Sequence, residues 1–157
     1  MPVGTLSAAL EQEHHDIDQG LESFVAGLAA GERRTDALNA AISSLRRHIY
    51  LEEEFLFPSL RAGGFVAPVF VMIREHGEIW RSLDALEADV AANTATAATA
   101  DVCRTLASQL ESHNGKEEQI LYPQADRVLT APASGELGAF MQTGQMPEGW
   151  VCAGARS

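Results

Sequence analysis

Four stretches of the chain place apolar residues at alternating intervals of four and three, the spacing by which a helix buries one stripe of its surface. The first stripe runs Leu10, His14, Ile17, Leu21, Phe24, Leu28. The second, for which Thr35 is the expected N-cap, runs Leu38, Ile42, Leu45, His48, Glu52, Phe55, Leu56. Pro68 suits the first turn of a third helix, whose stripe is Val69, Met72, His76, Ile79, Leu83, Leu86, Val90. The Ala- and Thr-rich run Ala91 to Ala100 reads as a loop that becomes the fourth helix near Thr99, with Cys103, Leu106, Leu110, His113, Glu117, Ile120 and Gln124 on its stripe.

The first and second helices are joined through Gly31 to Arg34, and the second and third through Ala62 to Ala67. Such short links favour antiparallel neighbours, so the expected fold is all-α, an up-down-up-down four-helix bundle over residues 1–129. Pro58 and Pro123 are expected to end or kink their helices. Residues 130–157 read as a C-terminal extension, with a short helix from Glu136 to Gln142 and a tail carrying Trp150 and Cys152.

Polar residues sit on these buried stripes, and they sit there twice. Glu13-His14-His15-Asp16-Ile17 is matched by Glu75-His76-Gly77-Glu78-Ile79. His48, Glu52, Glu53, Leu56, Phe57 and Pro58 are matched by His113, Glu117, Glu118, Leu121, Tyr122 and Pro123. All 5 histidines of the chain fall in these boxes. His15 lies about 100° round the helix from His14 and points off the stripe.

Imidazoles and carboxylates buried without partners are costly, and no lysine or arginine falls on the stripes to neutralise Glu52 and Glu117. A cation solves the problem. Nitrogen and oxygen donors without thiolate suit iron, zinc or manganese. Six donors on four helices are most naturally arranged around two ions, with Glu52 and Glu117 spanning the pair. Glu53 and Glu118 beside the bridges, and Glu13 and Glu75 beside the single histidines, could accept from imidazole N–H groups but read more simply as solvated helix-face charge. Trp80 and Met72 read as core and Tyr50 as an exposed aromatic.

Charge and composition narrow the partners. At 157 residues the chain is long enough for a sizeable core, and its net charge of -11 makes nucleic acid and anionic membranes poor partners. The start lacks the features of a signal peptide and no apolar run approaches membrane length, so a soluble cytoplasmic protein is expected. Cys103 and Cys152 form no paired motif and are expected to remain thiols.

The ligand pattern resembles the hemerythrin-like (HHE cation-binding) domains over about residues 6–127. It is most similar to the repair-of-iron-centres (YtfE-like) group, whose order is His, His-x-x-x-Glu, His, His-x-x-x-Glu. The resemblance implies His14, His48, His76 and His113 as terminal ligands of two iron ions, Glu52 and Glu117 as bridges, and an oxo- or hydroxo-bridged centre. It further implies binding of O2, NO or peroxide for sensing, scavenging or detoxification, with a redox partner and scope for NO reduction or peroxide decomposition. No dedicated catalytic residue is expected beyond the metals.

Two departures stand out. Oxygen-carrying hemerythrins place a further histidine one turn after the third-helix ligand, where this chain has Trp80. The repair proteins usually carry an N-terminal cysteine-containing domain, which is not seen here. An iron store or donor for damaged iron centres, and a regulatory bundle holding zinc, are the alternative readings.

Overall fold

The structure, a computed structural model, describes residues 5–92 and 97–156. The described residues are helical, with α1 (Leu6–Ala29), α2 (Thr35–Leu51), α3 (Phe57–Ala62), α4 (Val66–Ala91), α5 (Ala97–Lys116), α6 (Tyr122–Val128) and α7 (Ala131–Thr143). Two π-helical turns, Glu52–Leu56 and Glu117–Leu121, join α2 to α3 and α5 to α6, and a single 3-10 turn, Ala153–Ala155, lies in the tail. Helix α1 touches α2 and α5, and α4 touches the same two, so the four long helices close a ring around the interior.

Side-chain caps start α1 and α7. Thr5 caps α1, its hydroxyl accepting from Ala8 N–H, and Thr130 caps α7 in the same way through Ala133 N–H. Thr35 does not cap α2: it is the first helical residue, and Arg34 precedes it without a side-chain capping bond. The Arg34 side chain lies against Gly27 and pairs with Glu32 instead. Helix α5 is described from Ala97, close to the expected start near Thr99. Part of the expected loop, residues 93–96, lies outside the described residues.

The prolines do not break their helices. Proline lacks an N–H and its ring clashes with the carbonyl four residues back. In both repeats the chain widens by one residue just before the proline, so that Phe57 N–H bonds to Glu52 O and Tyr122 N–H to Glu117 O, five residues apart. The helix then continues on a shifted face.

The core falls into two apolar clusters. One holds Ile17, Leu21, Phe24, Leu45, Ile79, Leu83, Leu106 and Leu110. The other holds Leu10, Leu56, Phe57, Met72, Leu121 and Tyr122. Fully burying each such side chain favours the fold by roughly 1.5–3 kcal/mol. Along α1, α4 and α5 the histidines come between residues of one cluster and residues of the other, so a polar layer separates the two.

Beyond α6 the extension is more ordered than the sequence suggests. Helix α7 starts at Ala131, five residues before the expected Glu136, and buries Leu137 and Phe140 in the cluster of Leu10, Leu56 and Phe57. Arg47 donates to Gly144 O (3.1 Å) and Met141 O (3.0 Å), satisfying carbonyls at the C-terminus of α7. Tyr50, read as exposed, is enclosed by Phe55, Phe140 and Trp150. No described helix is long and apolar enough to cross a membrane.

Candidate metal centre

The structure brings the six predicted donors together. His14, His48, His76, His113, Glu52 and Glu117 are all buried, the two carboxylates completely. They form two groups, His14–His48–Glu52–Glu117 and Glu52–His76–His113–Glu117, and within each the donor atoms lie within 4.8 Å of one another. Both carboxylates belong to both groups. Glu52 lies 3.5 Å from His48 Nε2 and 3.2 Å from His76 Nε2, while Glu117 lies 3.2 Å from His14 Nε2 and 3.4 Å from His113 Nε2. His15 is exposed and takes no part.

The donors fit a cation on their own chemistry. Among the described residues, Glu52 Oε1, His76 Nε2 and Glu117 Oε2 are buried without a well-formed hydrogen bond, the first two facing each other at 3.2 Å. A buried acceptor left unpaired costs about 1–3 kcal/mol, and more when charged. A metal ion would satisfy all three.

Each imidazole is held from behind by a carboxylate. His14 Nδ1 donates to Glu118 (3.0 Å), His48 Nδ1 to Glu13 (2.8 Å), His76 Nδ1 to Glu53 (2.7 Å) and His113 Nδ1 to Glu75 (2.9 Å). The reading of these four glutamates as solvated charge is therefore corrected. A carboxylate behind Nδ1 fixes the proton there, turns Nε2 inward and raises its basicity. The bonds obey the duplication: each single histidine is held by the glutamate after the bridge of the opposite repeat, and each His-x-x-x-Glu histidine by the glutamate before the single histidine of its own. Lys116 pairs with Glu75 at the rim, and Arg47 approaches Glu13 at 3.7 Å.

The electrostatics follow from this enclosure. Burial pushes the His48 imidazole down, but Glu52 and Glu13 outweigh it and hold the group up at about 10. His113 is likewise lowered by burial yet held at about 10 by Glu117 and Glu75. Burial opposes ionisation of Glu52, and the histidines around it overcome that, keeping its carboxyl well below the usual range. Glu75 is pulled down to about 2, chiefly by the hydrogen bond from His113. In the metal-free protein, protons stand in for cations.

One site residue was missed. Tyr122 is completely buried, and its hydroxyl lies 2.9 Å from His14 Nε2, 3.0 Å from His48 Nε2, 2.7 Å from Glu52 Oε2 and 3.3 Å from Glu117 Oε1. On a regular helix, five residues past Glu117 would point about 140° away; the π-helical turn brings it back. The same turn places Phe57, its counterpart in the first repeat, against the His76 ring at 5.5 Å. One half of the cluster thus meets a phenol and the other a bare ring.

Trp80 is buried in the cluster of Ile17, Leu21 and Phe24, beneath Arg46 and next to Trp150, so no metal-ligating side chain occupies the position one turn after His76. Cys103 and Cys152 are buried free thiols, and burial pushes both up to about 11.

Fold and site together define an all-helical protein with a buried histidine and glutamate cluster suited to holding metal cations. The family model of the hemerythrin HHE cation-binding domain matches residues 5–125, and the chain belongs to that family. Comparison with curated proteins and with solved structures gives no match.

Proposed function

We propose that the protein is a cytoplasmic di-iron protein of the YtfE-like kind that consumes hydrogen peroxide, with O2 and NO as further ligands of the same centre. Residues 1–129 act as an up-down-up-down bundle, and residues 130–157 extend it. His14 and His48 would hold one iron and His76 and His113 the other, with Glu52 and Glu117 available to both. The division of the donors into two groups sharing both carboxylates supports a pair rather than a single ion. Their mixture of nitrogen and oxygen suits iron.

The observation that carries the peroxide reading is the Tyr122 hydroxyl among four donor residues. Bound iron would supply the electrons. Tyr122 supplies a buried proton at Oη, where cleavage of an O–O bond needs one. Phe57 and the surrounding leucines keep bulk water from the opposite side. The outer carboxylates hold all four rings in a single orientation. Disproportionation, two H2O2 to two H2O and one O2, needs no outside reductant.

Purified protein should contain about two irons per chain, absorb in the near ultraviolet, bleach with dithionite and evolve O2 from H2O2. Colourless protein loaded with zinc would defeat the proposal. An exposed flank favours one second reading, an iron donor: a groove of about 650 Å³ between α1 and α5 reaches His14 and Glu118. Iron loss to a weak chelator faster than peroxide turnover would support the donor instead.

A further inference from the structure

The duplicated pattern pairs Glu53 with Glu118, yet their surroundings differ. The Glu118 side chain is 32% exposed and borders the open groove. Glu53 is nearly closed off, at 5%. While one of its oxygens accepts from His76, the other accepts from Ala153 N–H at 2.9 Å.

Ala153 belongs to the C-terminal segment, outside the part of the chain that the family model matches. That segment is anchored at several points. Trp150 packs between Tyr50 and Trp80, with ring centres 5.0 and 5.6 Å away, and Cys152 is fully buried. Gly154 lies directly on Gly77 of α4. A Cβ added to Gly77 would fall 2.5 Å from Gly154 O, and one added to Gly154 would fall 2.4 Å from Ile73 O. Only two glycines permit this approach, one residue after a metal-facing histidine. Arg81 adds a hydrogen bond to Gly154 O. In the first repeat the residue matched to Gly77 is His15, and no segment of the described chain is hydrogen-bonded to Glu118 other than through His14.

We propose that residues 145–156 are a positioning element of the metal centre, in which Ala153 N–H holds the Glu53 carboxylate and Glu53 holds the His76 imidazole. As a result the His76–His113 position retains its ion more firmly than the His14–His48 position. The ranking rests on the two-ion reading above; the hydrogen-bonded relay does not. Loss of a group behind a ligating imidazole typically weakens metal binding by about 10- to 100-fold. An amide donor to Glu53 removes one freedom that Glu118 keeps.

The test follows iron release from the loaded protein into a chelator, with helix content checked by circular dichroism. Wild type should release its ions in a fast and a slow phase. In Gly77→Ala, and in a chain ending at Gly144, the slow phase should accelerate by about tenfold or more. Gly115→Ala, whose new methyl meets open space, should leave both phases unchanged. A single phase in wild type, an unaltered slow phase in well-folded Gly77→Ala, or equal acceleration of both phases would each overturn the proposal.

A second arm needs no metal. In the metal-free protein, hydrogen exchange at the Ala153 amide should quicken by about tenfold or more in Glu53→Ala and stay slow in Glu53→Gln, which keeps the accepting oxygen. Unchanged exchange in Glu53→Ala overturns the relay whatever the iron content. Protein that takes up no iron sinks the di-iron reading, and the amide result then still decides the relay.

Discussion

The Tyr122 hydroxyl donates to Glu52 Oε2 at 2.7 Å across the interior, linking the aromatic of the second repeat to the bridging carboxylate of the first. In the metal-free protein, burial and the two nearby carboxylates push this phenol well above its ordinary pKa, so the hydroxyl keeps its proton there. Tyr122→Phe should keep both irons and the fold. Its peroxide turnover should drop by about 10²- to 10⁴-fold, the usual contribution of a positioned proton donor. An unchanged kcat in iron-replete Tyr122→Phe would remove the tyrosine from the chemistry.

The two shared carboxylates should be the least replaceable residues. Glu52→Ala or Glu117→Ala is expected to empty both positions, because each glutamate belongs to both donor groups. His15→Ala should leave iron content and spectrum intact, since that side chain is exposed. Elemental analysis of the three variants checks the assignment. Full iron in either glutamate variant contradicts a bridge.

The carboxylates behind the rings should matter without touching metal. Glu118→Gln and Glu13→Gln are expected to weaken iron binding by about 10- to 100-fold, and metal-free Glu13→Gln should also melt at a lower temperature at neutral pH, since Glu13 helps hold His48 charged. Competition with a chelator of known affinity measures the first and a melting curve the second. Affinities equal to wild type would return these glutamates to ordinary surface charge.

Protonation should link stability to pH in a fixed direction. His48 and His113 rise from 6.5 to about 10 on folding of the metal-free chain. The folded state therefore binds more protons than the unfolded state between those values. The stabilisation is complete below about pH 6.5 and is lost as pH rises through about 10. The melting temperature of metal-free protein should fall between pH 7 and 10. A rise over that interval would contradict the buried imidazolium network. Iron uptake should release protons and strengthen with pH over the same range.

Much of the site could be read from spacing alone. His14, His48, His76 and His113 lie on the apolar stripes, and a regular helical period suffices to bring them inward, as it does Glu52 and Glu117. Tyr122 could not be found that way, because its place depends on one extra residue in a helical turn. Its signal is the proline directly after the aromatic in both repeats, Pro58 after Phe57 and Pro123 after Tyr122, around which the helix widens. Glu53 and Glu118 were misread because the imidazole each one holds is on a helix of the other repeat, and periodicity within one helix says nothing of such neighbours. Helix α7 extends further at its start than expected because Ala131 to Gly135 shows no buried stripe; its buried residues, Leu137 and Phe140, come later. The partner of Gly77 lies 77 residues further on, at Gly154, beyond the reach of any local pattern.

The crossed wiring of the outer glutamates reaches past this one chain. A lone hairpin, α1 with α2 or α4 with α5, would own two imidazoles yet leave one of them without its acceptor, which only the opposite hairpin supplies. Two identical hairpins facing each other would complete both at once. The architecture is therefore that of two matching hairpins in one polypeptide, lopsided where Gly77 and Tyr122 stand opposite His15 and Phe57.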